Sequence, residues 1–342
     1  MKKIAFFFFL SCCLCSNLIA QNDSFECYPT NWWTGMKWNH VQIMIHGKGI
    51  GNGHAYTINY PGITLEKTHR VDNINYEFLD IVIAPSAKPG ILKIHVKQRD
   101  SSFVINFPIK KRRSGNGNSF AKGVTSKDFI YLIMPDRFSN GDTTNDRIAG
   151  MRDQSLNRDT VFMRHGGDLK GIENHLDYLK SLGVTALWLN PVIENDMPER
   201  TEHGYAFTNH YKIDPRLGGE KAYHNLINAA HTKNMKIIQD AVYNHVGSYH
   251  FTVLDPPMKT WVHQWSDYTN TTYKDQVLFD PYASNKEEKI MSDGWFVPSM
   301  PDLNQQNPFV ANFLIQHALW TVEEFGIDGW RIDTYIYNDL DL

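Results

Sequence analysis

Two charged residues near the end of the sequence have the spacing of a reactive pair. In the segment GWRID, Arg331 and Asp333 are separated by one residue, and in a β-strand this spacing places both side chains on one face. A neighbouring arginine favours the ionised form of a carboxylate, and an ionised, oriented aspartate at a strand end can act as a nucleophile. A structural salt bridge would explain the pair equally well.

Two other segments combine an apolar stretch with polar or aromatic side chains. In DAVYNH, Asp240 lies at the end of an apolar run, and Asn244 and His245 follow in the turn. In HGYAFTNHYKIDPRLGG, Tyr205 could stack on a sugar ring or pack in the core. The polar residues after Tyr205 are interpreted as turn residues: Asn209, His210 and Asp214. Taken alone, the first segment is better explained as an ordinary turn.

A further cluster, NGDTTND, is dense in side-chain oxygens. It contains Asn140, Asp142, Asn145 and Asp146. Such a set suits a hard cation such as calcium, which binds roughly six to eight oxygen ligands. The alternative interpretation is a polar loop without a metal.

The first of two regions that must position these residues is rich in short strands. Within residues 21–109, five segments alternate apolar and polar residues between Gly, Pro and Asn: WNHVQIMIHG, AYTINY, YEFLDIVIAP, GILKIHVKQRD and SFVINFPIK. They predict an antiparallel, Ig-like β-sandwich. Residues 110–122, which begin KKRRSGNGNS, predict an interdomain linker with its basic residues on a solvated face.

From about residue 123 onward, apolar strands alternate with helical patterns. The predicted strands are DFIYLIMP, VTALWLNP, KIIQDAV and IDGWRID, and the predicted helices are LKGIENHLDYLKSLG, GEKAYHNLINAAHTKNM and NPFVANFLIQHALWTVEEFG. This order predicts βαβ units and a parallel sheet. The polar clusters follow strands, which favours a (β/α) barrel over a doubly wound sheet. Residues 246–307 form an aromatic-rich insertion, expected to be a subdomain over the site.

Together, these motifs resemble the α-amylase family, glycoside hydrolase family 13. DAVYNH and GWRID resemble its strand-three and strand-four motifs, HGYAFTNHYKIDPRLGG its strand-two loop, and MPDLN (Met300 to Asn304) its fifth region, all in the family's order. The sandwich, NWWTGMKW and DRFSNGD are most similar to the cyclomaltodextrinase/neopullulanase group, which includes periplasmic members of bacterial starch-utilisation systems. The resemblance implies an N-terminal β-sandwich and the first half, about four βα units, of a (β/α)8 TIM barrel with an inserted domain B.

The resemblance also implies a function and the roles of the site residues. The activity would be retaining hydrolysis of α-glucans such as starch, pullulan, maltodextrin or cyclodextrin. Asp333 would be the nucleophile and Arg331 its charge partner. The other positions would support or contact the glucan: Tyr205, His203, Asp240, Asn244 and His245. Asp302 in MPDLN replaces the Lys common in neopullulanases, which leaves α-1,4 or α-1,6 preference open.

The calcium prediction is extended by the same resemblance. The family's loop joins a Gly-Gly-Asp segment, here Gly166, Gly167 and Asp168. The Gly166 carbonyl and the Asp168 side chain would be further ligands, and the calcium would hold the loop rather than react. The resembled group also implies a homodimer through the N-terminal domain.

The sequence predicts an N-terminal fragment. A retaining glycosidase needs a second carboxylate about 5 Å from the nucleophile, and in the resembled family it follows the fifth strand. Without its insertion, the second region has only about 160 residues, enough for about half of a barrel. Glu323 and Glu324 precede the fourth strand and should face the opposite end. We expect a parent that hydrolyses α-glucans and an inactive fragment, with a non-catalytic starch- or maltooligosaccharide-binding protein and an α-glucan transferase as alternatives.

The N-terminus and the composition restrict the compartment and the partners. Residues 1–20 are interpreted as a signal peptide cut after Ala20, because the apolar run is too short for a membrane span. We therefore expect an exported protein, periplasmic or extracellular. Cys27 would be the one cysteine of the mature chain, so no internal disulfide is expected. The net charge of −3 gives no reason to expect a nucleic-acid or acidic-lipid partner.

Overall fold

The computed structural model of the 342-residue chain describes residues 25–53, 55–99, 101–339 and 342. The predicted signal peptide lies outside these residues. Within them, no helix combines the length and apolar character needed to cross a membrane. The described chain forms a β-sandwich followed by a unit built on a parallel sheet, as predicted.

The sandwich consists of two four-stranded sheets. Its strands are β1 (Glu26–Tyr28), β2 (Trp32–Thr34), β3 (His40–His46), β4 (Ala55–Ile58), β5 (Ile63–Arg70), β6 (Tyr76–Ile83), β7 (Gly90–Lys97) and β8 (Ser102–Lys111). One sheet has the order β1-β3-β6-β5 and is antiparallel throughout. The other has the order β2-β8-β7-β4, in which β2 pairs with β8 in parallel. Alternating residues of β7 enter the core: Leu92, Ile94 and Val96.

Three of these strands were not among the predicted segments. β1 and β2 have three residues each, too few for an alternating pattern. β5 buries Ile63 but leaves most of its other residues exposed or half-buried, because it lies at the edge of its sheet. Their pairing depends on the neighbouring strands rather than on their own periodicity.

The second unit follows the predicted order of strands and helices. Its elements are β9 (Ile130–Ile133), α1 (Pro135–Phe138), α2 (Leu169–Asn174), α3 (Leu176–Ser181), β10 (Ala186–Leu189), β11 (Ile193–Glu194), β12 (Asn209–Ile213), α4 (Gly219–Thr232), β13 (Lys236–Ala241), α5 (Phe251–Leu254), α6 (Asn285–Asp293), α7 (Pro308–Phe325) and β14 (Gly329–Ile332). The sheet order is β9-β10-β13-β14, and every pair in it is parallel. This arrangement confirms the predicted parallel sheet. The pair β11-β12 is separate and antiparallel.

Two details of this unit correct the sequence prediction. The helix expected over residues 169–183 is divided at His175, whose Nδ1 lies 2.7 Å from the carbonyl oxygen of Gly171. Leu182, near the end of the predicted helix, is 46% exposed. In β9, which the sequence predicts as an apolar strand, Ile130 and Leu132 are exposed, and the strand lies at one edge of the sheet.

The two units pack closely against each other. Gln42 of β3 and Gln316 of α7 form two hydrogen bonds. The Gln42 backbone amide donates to the Gln316 side-chain oxygen at 2.7 Å, and the Gln316 side-chain amide donates to the Gln42 carbonyl at 2.9 Å. Phe78 of β6 contacts the rings of Trp261 and Phe309. β6 is buried along most of its length because it is covered on both faces.

The basic segment after the sandwich contributes to this packing, which corrects the prediction of a solvated face. Lys110 Nζ lies 2.6 Å from a carboxylate oxygen of Glu324, and Arg112 Nη2 lies 2.6 Å from one of Glu323. Arg113 donates to the backbone carbonyls of both glutamates. Strand β8 also extends to Lys111, into the segment predicted as a linker.

Candidate active site

The neighbouring ends of β13 and β14 bring three charged groups together. Asp240 is in register with Arg331, and the Asp333 amide donates to the Ala241 carbonyl at 2.9 Å, which continues the pairing beyond β14. Arg331 Nη1 donates to Asp240 Oδ1 at 2.9 Å and to Asp333 Oδ1 at 2.6 Å. The guanidinium therefore fixes both carboxylates, as the spacing of GWRID suggested for Asp333.

Asp240 is completely buried and accepts hydrogen bonds on both carboxylate oxygens. Its Oδ2 accepts from Trp188 Nε1 at 3.0 Å and from the Tyr205 hydroxyl at 2.8 Å. Burial raises the pKa of Asp240, although the hydrogen bonds from Arg331, Trp188 and Tyr205 oppose that shift. Burial and the Asp240 carboxylate also raise the pKa of Tyr205, so its hydroxyl remains a donor.

The sequence prediction did not include Trp188. Its ring lies 4.9 Å from the Arg331 guanidinium carbon, in a cation–π arrangement. Trp188 is the third residue of β10, and a tryptophan next to the end of a barrel strand was a signal available in the sequence.

Two histidines border this charged centre. His203 Nδ1 accepts the Tyr205 amide at 2.9 Å, and the two rings are stacked 5.9 Å apart. His245 is buried, and neither of its ring nitrogens has a hydrogen-bond partner in the described residues. Burial lowers the pKa of both imidazoles, that of His245 to about 4. Both rings are therefore neutral near pH 7, and His245 can bind a hydroxyl group.

Asn244, which was predicted to contact substrate, has a different partner in the structure. Its amide donates to Asp302 Oδ2 at 2.7 Å, so it joins the strand-three turn to the insertion. Phe296 of the insertion lies against His245, with ring centroids 5.3 Å apart. The insertion thus reaches the site, although Phe296 was not singled out as a site residue.

Of the three residues interpreted as turn residues, Asn209 and His210 lie in β12 and only Asp214 lies in the turn that follows, and all three are buried. Asp214 accepts from Arg216 Nε at 3.0 Å and from Arg216 Nη2 at 2.7 Å, and both side chains are buried. Arg216 also donates to the Asn195 carbonyl at 2.7 Å. This buried pair anchors the loop, while His210 packs against two other buried histidines, His250 and His317.

The predicted calcium loop concentrates oxygen atoms around Gly166. Asn140 Nδ2 donates to Asp146 Oδ1 at 2.7 Å. The Oδ1 atoms of Asn140 and Asn145 are buried without a hydrogen-bond partner. A Cβ atom on Gly166 would lie 2.7 Å from Asp146 Oδ1, and the positive φ of Gly166 also favours glycine. Two unpartnered amide oxygens beside a carboxylate fit a hard cation.

The other two predicted calcium ligands already have protein partners. Asp168 caps α2 by accepting the Gly171 amide at 2.6 Å, and it accepts the Asp142 amide at 2.8 Å. Asp142 Oδ1 accepts from the Thr144 amide and hydroxyl. In the described residues, no three or more His, Cys, Asp or Glu side chains form a metal-binding group. A cation here would therefore depend mainly on amide and carbonyl oxygens.

Comparison with protein families gives two matches along the chain. The model described as "Alpha amylase, catalytic domain" matches residues 132–339, and the model "Cyclomaltodextrinase, N-terminal" matches residues 26–113. These ranges correspond to the second unit and to the sandwich.

Individual relatives match about three fifths of the chain. Neopullulanase 2 of Thermoactinomyces vulgaris is 34% identical over 217 residues, which are 62% of this chain and 34% of that protein. The cyclomaltodextrinase of Geobacillus thermopakistaniensis is 34% identical over 219 residues, 63% of this chain and 34% of that protein. The crystal structure of an Anoxybacillus α-amylase is similar with a TM-score of 0.50 and 35% identity, and covers 62% of this chain and 42% of that chain. The chain thus spans about a third of the length of these two curated relatives.

Proposed function

This chain belongs to the α-amylase family, glycoside hydrolase family 13, and we propose that it carries the nucleophile of a retaining α-glucan hydrolase. The observation that carries the proposal is the bridge from Arg331 to both Asp333 and Asp240 at adjacent strand ends. The relatives are named for neopullulanase, cyclomaltodextrinase and α-amylase activities, which supports an α-glucan as the substrate class.

In the proposed reaction, Asp333 attacks the anomeric carbon of a bound glucosyl unit. A carbon–oxygen bond to Asp333 forms while the bond to the leaving glycoside oxygen breaks, and that oxygen takes a proton from an acid. Water then cleaves the glycosyl ester and restores the carboxylate. Arg331 donates a hydrogen bond to Asp333 at 2.6 Å and so orients its carboxylate, and His203, Tyr205 and His245 would contact the sugar.

We assign no general acid in the part of the chain that the structure describes. Asp240 is held by Arg331, Trp188 and Tyr205, so its carboxylate is committed to positioning. Glu323 and Glu324 are paired with Arg112 and Lys110 of the sandwich side. We therefore propose that the chain by itself binds glucans but does not hydrolyse unactivated ones.

A donor with an activated leaving group tests the nucleophile without requiring an acid. A 5-fluoro-α-glucosyl fluoride loses fluoride without protonation, and its glycosyl ester is hydrolysed slowly. We expect mass spectrometry to find one added glycosyl group on the peptide that contains Asp333. Asp333→Asn should abolish this labelling, while Asp280→Asn, at an exposed position of the insertion, should retain it.

Labelling of a different carboxylate would refute the assignment of Asp333. Absence of labelling together with tight maltoheptaose binding would favour the alternative of a glucan-binding protein. Two tryptophans of NWWTGMKW, Trp32 and Trp33, are buried in the core and cannot hold a glucan, whereas Trp38 is 38% exposed. Hydrolysis and transfer use the same residues, and the products formed from maltoheptaose by the whole protein would distinguish them.

We also propose that the loop around Gly166 binds a structural calcium ion. The support is the pair of buried, unpartnered oxygens of Asn140 and Asn145 beside the Asp146 carboxylate. The ion would connect residues 140–146 to the segment before α2. It would stabilise the loop that follows β9 and would not take part in the reaction.

A further inference from the structure

Asp302 is a buried carboxylate between the barrel sheet and the inserted subdomain. It is 2% exposed. Its Oδ2 accepts from Asn244 Nδ2 at 2.7 Å, and its Oδ1 lies 2.7 Å from His263 Nδ1. Asn244 belongs to the turn after β13, whereas His263 lies inside the insertion. One carboxylate therefore joins both sides.

The backbone around Asp302 makes the same connection. The Val246 amide donates to the Pro301 carbonyl at 3.1 Å, and the Leu303 amide donates to the Asn244 carbonyl at 2.8 Å. The His263 amide donates to the Asp302 carbonyl at 2.9 Å. These hydrogen bonds lie where the insertion leaves the barrel and where it returns, on both sides of His245.

His263 extends the connection further into the insertion. Its Nε2 lies 3.7 Å from a carboxylate oxygen of Asp293, the last residue of α6. Its backbone carbonyl accepts Trp295 Nε1 at 3.1 Å. Trp295 is next to Phe296, whose ring contacts His245. The imidazole therefore connects Asp302 to the end of α6.

We propose that His263 and Asp302 are a pair of positioning residues that lock the turn carrying His245 to the inserted subdomain. Only the benefit to glucan binding rests on the function proposed above, because the lock itself is a property of the fold. A buried carboxylate needs its donors. Removing the His263 donor leaves one of its oxygens without a side-chain partner, and the part of the insertion around His263 loses its side-chain connection to Asp302 and so to the turn.

The lock should also depend on pH. The polar side chains that face the pair are the amide of Asn244 and the carboxyl group of Asp293. Burial is the main cause that raises the pKa of Asp302, to about 7. In the closed arrangement Asp302 therefore keeps its proton up to about pH 7, whereas a solvent-exposed aspartate loses its proton near 3.8. The free energy that holds the lock closed is therefore expected to decrease as the pH rises from about 4 to about 7, and to change little above that.

Hydrogen exchange of the whole chain tests the lock without any glucan. In His263→Phe, the backbone amides of Val246, Leu303 and residue 263 should exchange about tenfold faster than in the native chain. This factor corresponds to the loss of one hydrogen bond to a charged group. His263→Asn retains a donor near the Nδ1 position and should restore most of the protection. His95→Phe, on an exposed face of the sandwich, is the matched control and should change nothing.

Two results would overturn the proposal. Unchanged exchange at Val246 and Leu303 in His263→Phe would show that the pair does not hold the turn. An equal loss of amide protection in His263→Asn and His263→Phe would show that the turn is held by the volume of the imidazole ring and not by its hydrogen-bond donor. Amides of β6 and β7 report whether a variant has lost its overall fold.

A second variant keeps the proposal testable if His263→Phe does not fold. Asp302→Asn removes the titrating group with little change in volume. After correction for intrinsic exchange rates, protection of Val246 in the native chain should fall as the pH rises from about 5 to about 7 and should then level off, and in Asp302→Asn it should not vary with pH. The same pH dependence in both proteins would refute the role of Asp302 as the titrating group. Maltoheptaose affinity, measured separately, should fall in His263→Phe, and failure of that measurement alone would count against the proposed function and not against the lock.

Discussion

At the scale of single residues, buried neutral imidazoles distinguish this molecule. In the core His210 packs against both His250 and His317, and His245 is buried at the site. Burial lowers the pKa of each of them. His245 differs from His250 and His317 because neither of its ring nitrogens has a partner in the described residues. A neutral ring of this kind can accept one hydrogen bond and donate another to sugar hydroxyls.

We predict that His245 contributes to destabilisation by acid. Its pKa is about 4 in the folded chain and 6.5 as the ordinary value, so the unfolded chain binds the proton more readily between these values. The free energy of unfolding should therefore fall as the pH drops from 6.5 to 4, by about 3 kcal/mol from this residue. Urea denaturation of His245→Gln should show a decrease smaller by that amount.

The control for this prediction is His40→Gln, because the His40 side chain is 70% exposed. It should follow the native pH profile. A His245→Gln profile that coincides with the native one would show that His245 is not neutral in the folded chain at pH 5.

At the scale of elements, the loop between β9 and α2 depends on its polar side chains. Asp168 caps α2 and also accepts hydrogen bonds from the backbone amides of residues 141 and 142. The same loop contains the buried, unpartnered side-chain oxygens of Asn140 and Asn145. The Asn140 amide group donates to Asp146, and the Asn145 amide group donates to Asp168 at 3.4 Å. Buried oxygens without a partner destabilise the loop, because they have lost their hydrogen bonds to water. A bound cation would supply the missing partner.

We predict that calcium raises the melting temperature of the chain through Asp146. At about one hundred times its dissociation constant, a ligand stabilises the folded state by about 2.7 kcal/mol. The melting temperatures measured with 1 mM calcium and with a chelator should therefore differ by several degrees. Asp146→Asn should remove the difference. Asp142→Asn should retain most of it, because Asp142 Oδ1 is bound by Thr144.

Equal melting temperatures with and without calcium would contradict the metal site. A loss in Asp142→Asn as large as that in Asp146→Asn would instead show that the Asp142 carboxylate is a ligand, as the sequence suggested.

At the scale of the whole molecule, the sandwich and the second unit are joined by charged as well as apolar contacts. Glu323 is 3% exposed and pairs with Arg112. Its Oε2 has no hydrogen-bond partner in the described part of the chain, so Arg112 compensates much of the cost of burying this carboxylate. The basic segment is thus more than a covalent linker, because its side chains form ion pairs that hold the sandwich against the second unit.

We predict that Arg112→Ala destabilises the chain by about 3 kcal/mol, because it leaves Glu323 buried without its charge partner. Lys111→Ala removes a neighbouring exposed positive charge and should change the stability by less than about 0.5 kcal/mol. Urea denaturation measures both. Equal effects of the two substitutions would show that the segment acts only through its net charge.

The elements were more predictable than the contacts between them. Every predicted strand of the parallel sheet is present, because apolar periodicity is a local property of the sequence. β1, β2 and β5 were missed because short or edge strands take their structure from their neighbours. The division of the helix at His175 was also missed, because it depends on a side chain that bonds the Gly171 carbonyl.

The sequence by itself determined the order of the strands and helices, and it identified Asp240, Arg331 and Asp333 as the residues at the strand ends. Both follow from spacing within short segments. Only the tertiary structure decided that Trp188 and Tyr205 hold Asp240, and that Asp302 is paired with His263. These contacts join residues that are 35 to 52 positions apart. Their geometry is set by how whole elements pack, and no local pattern encodes it.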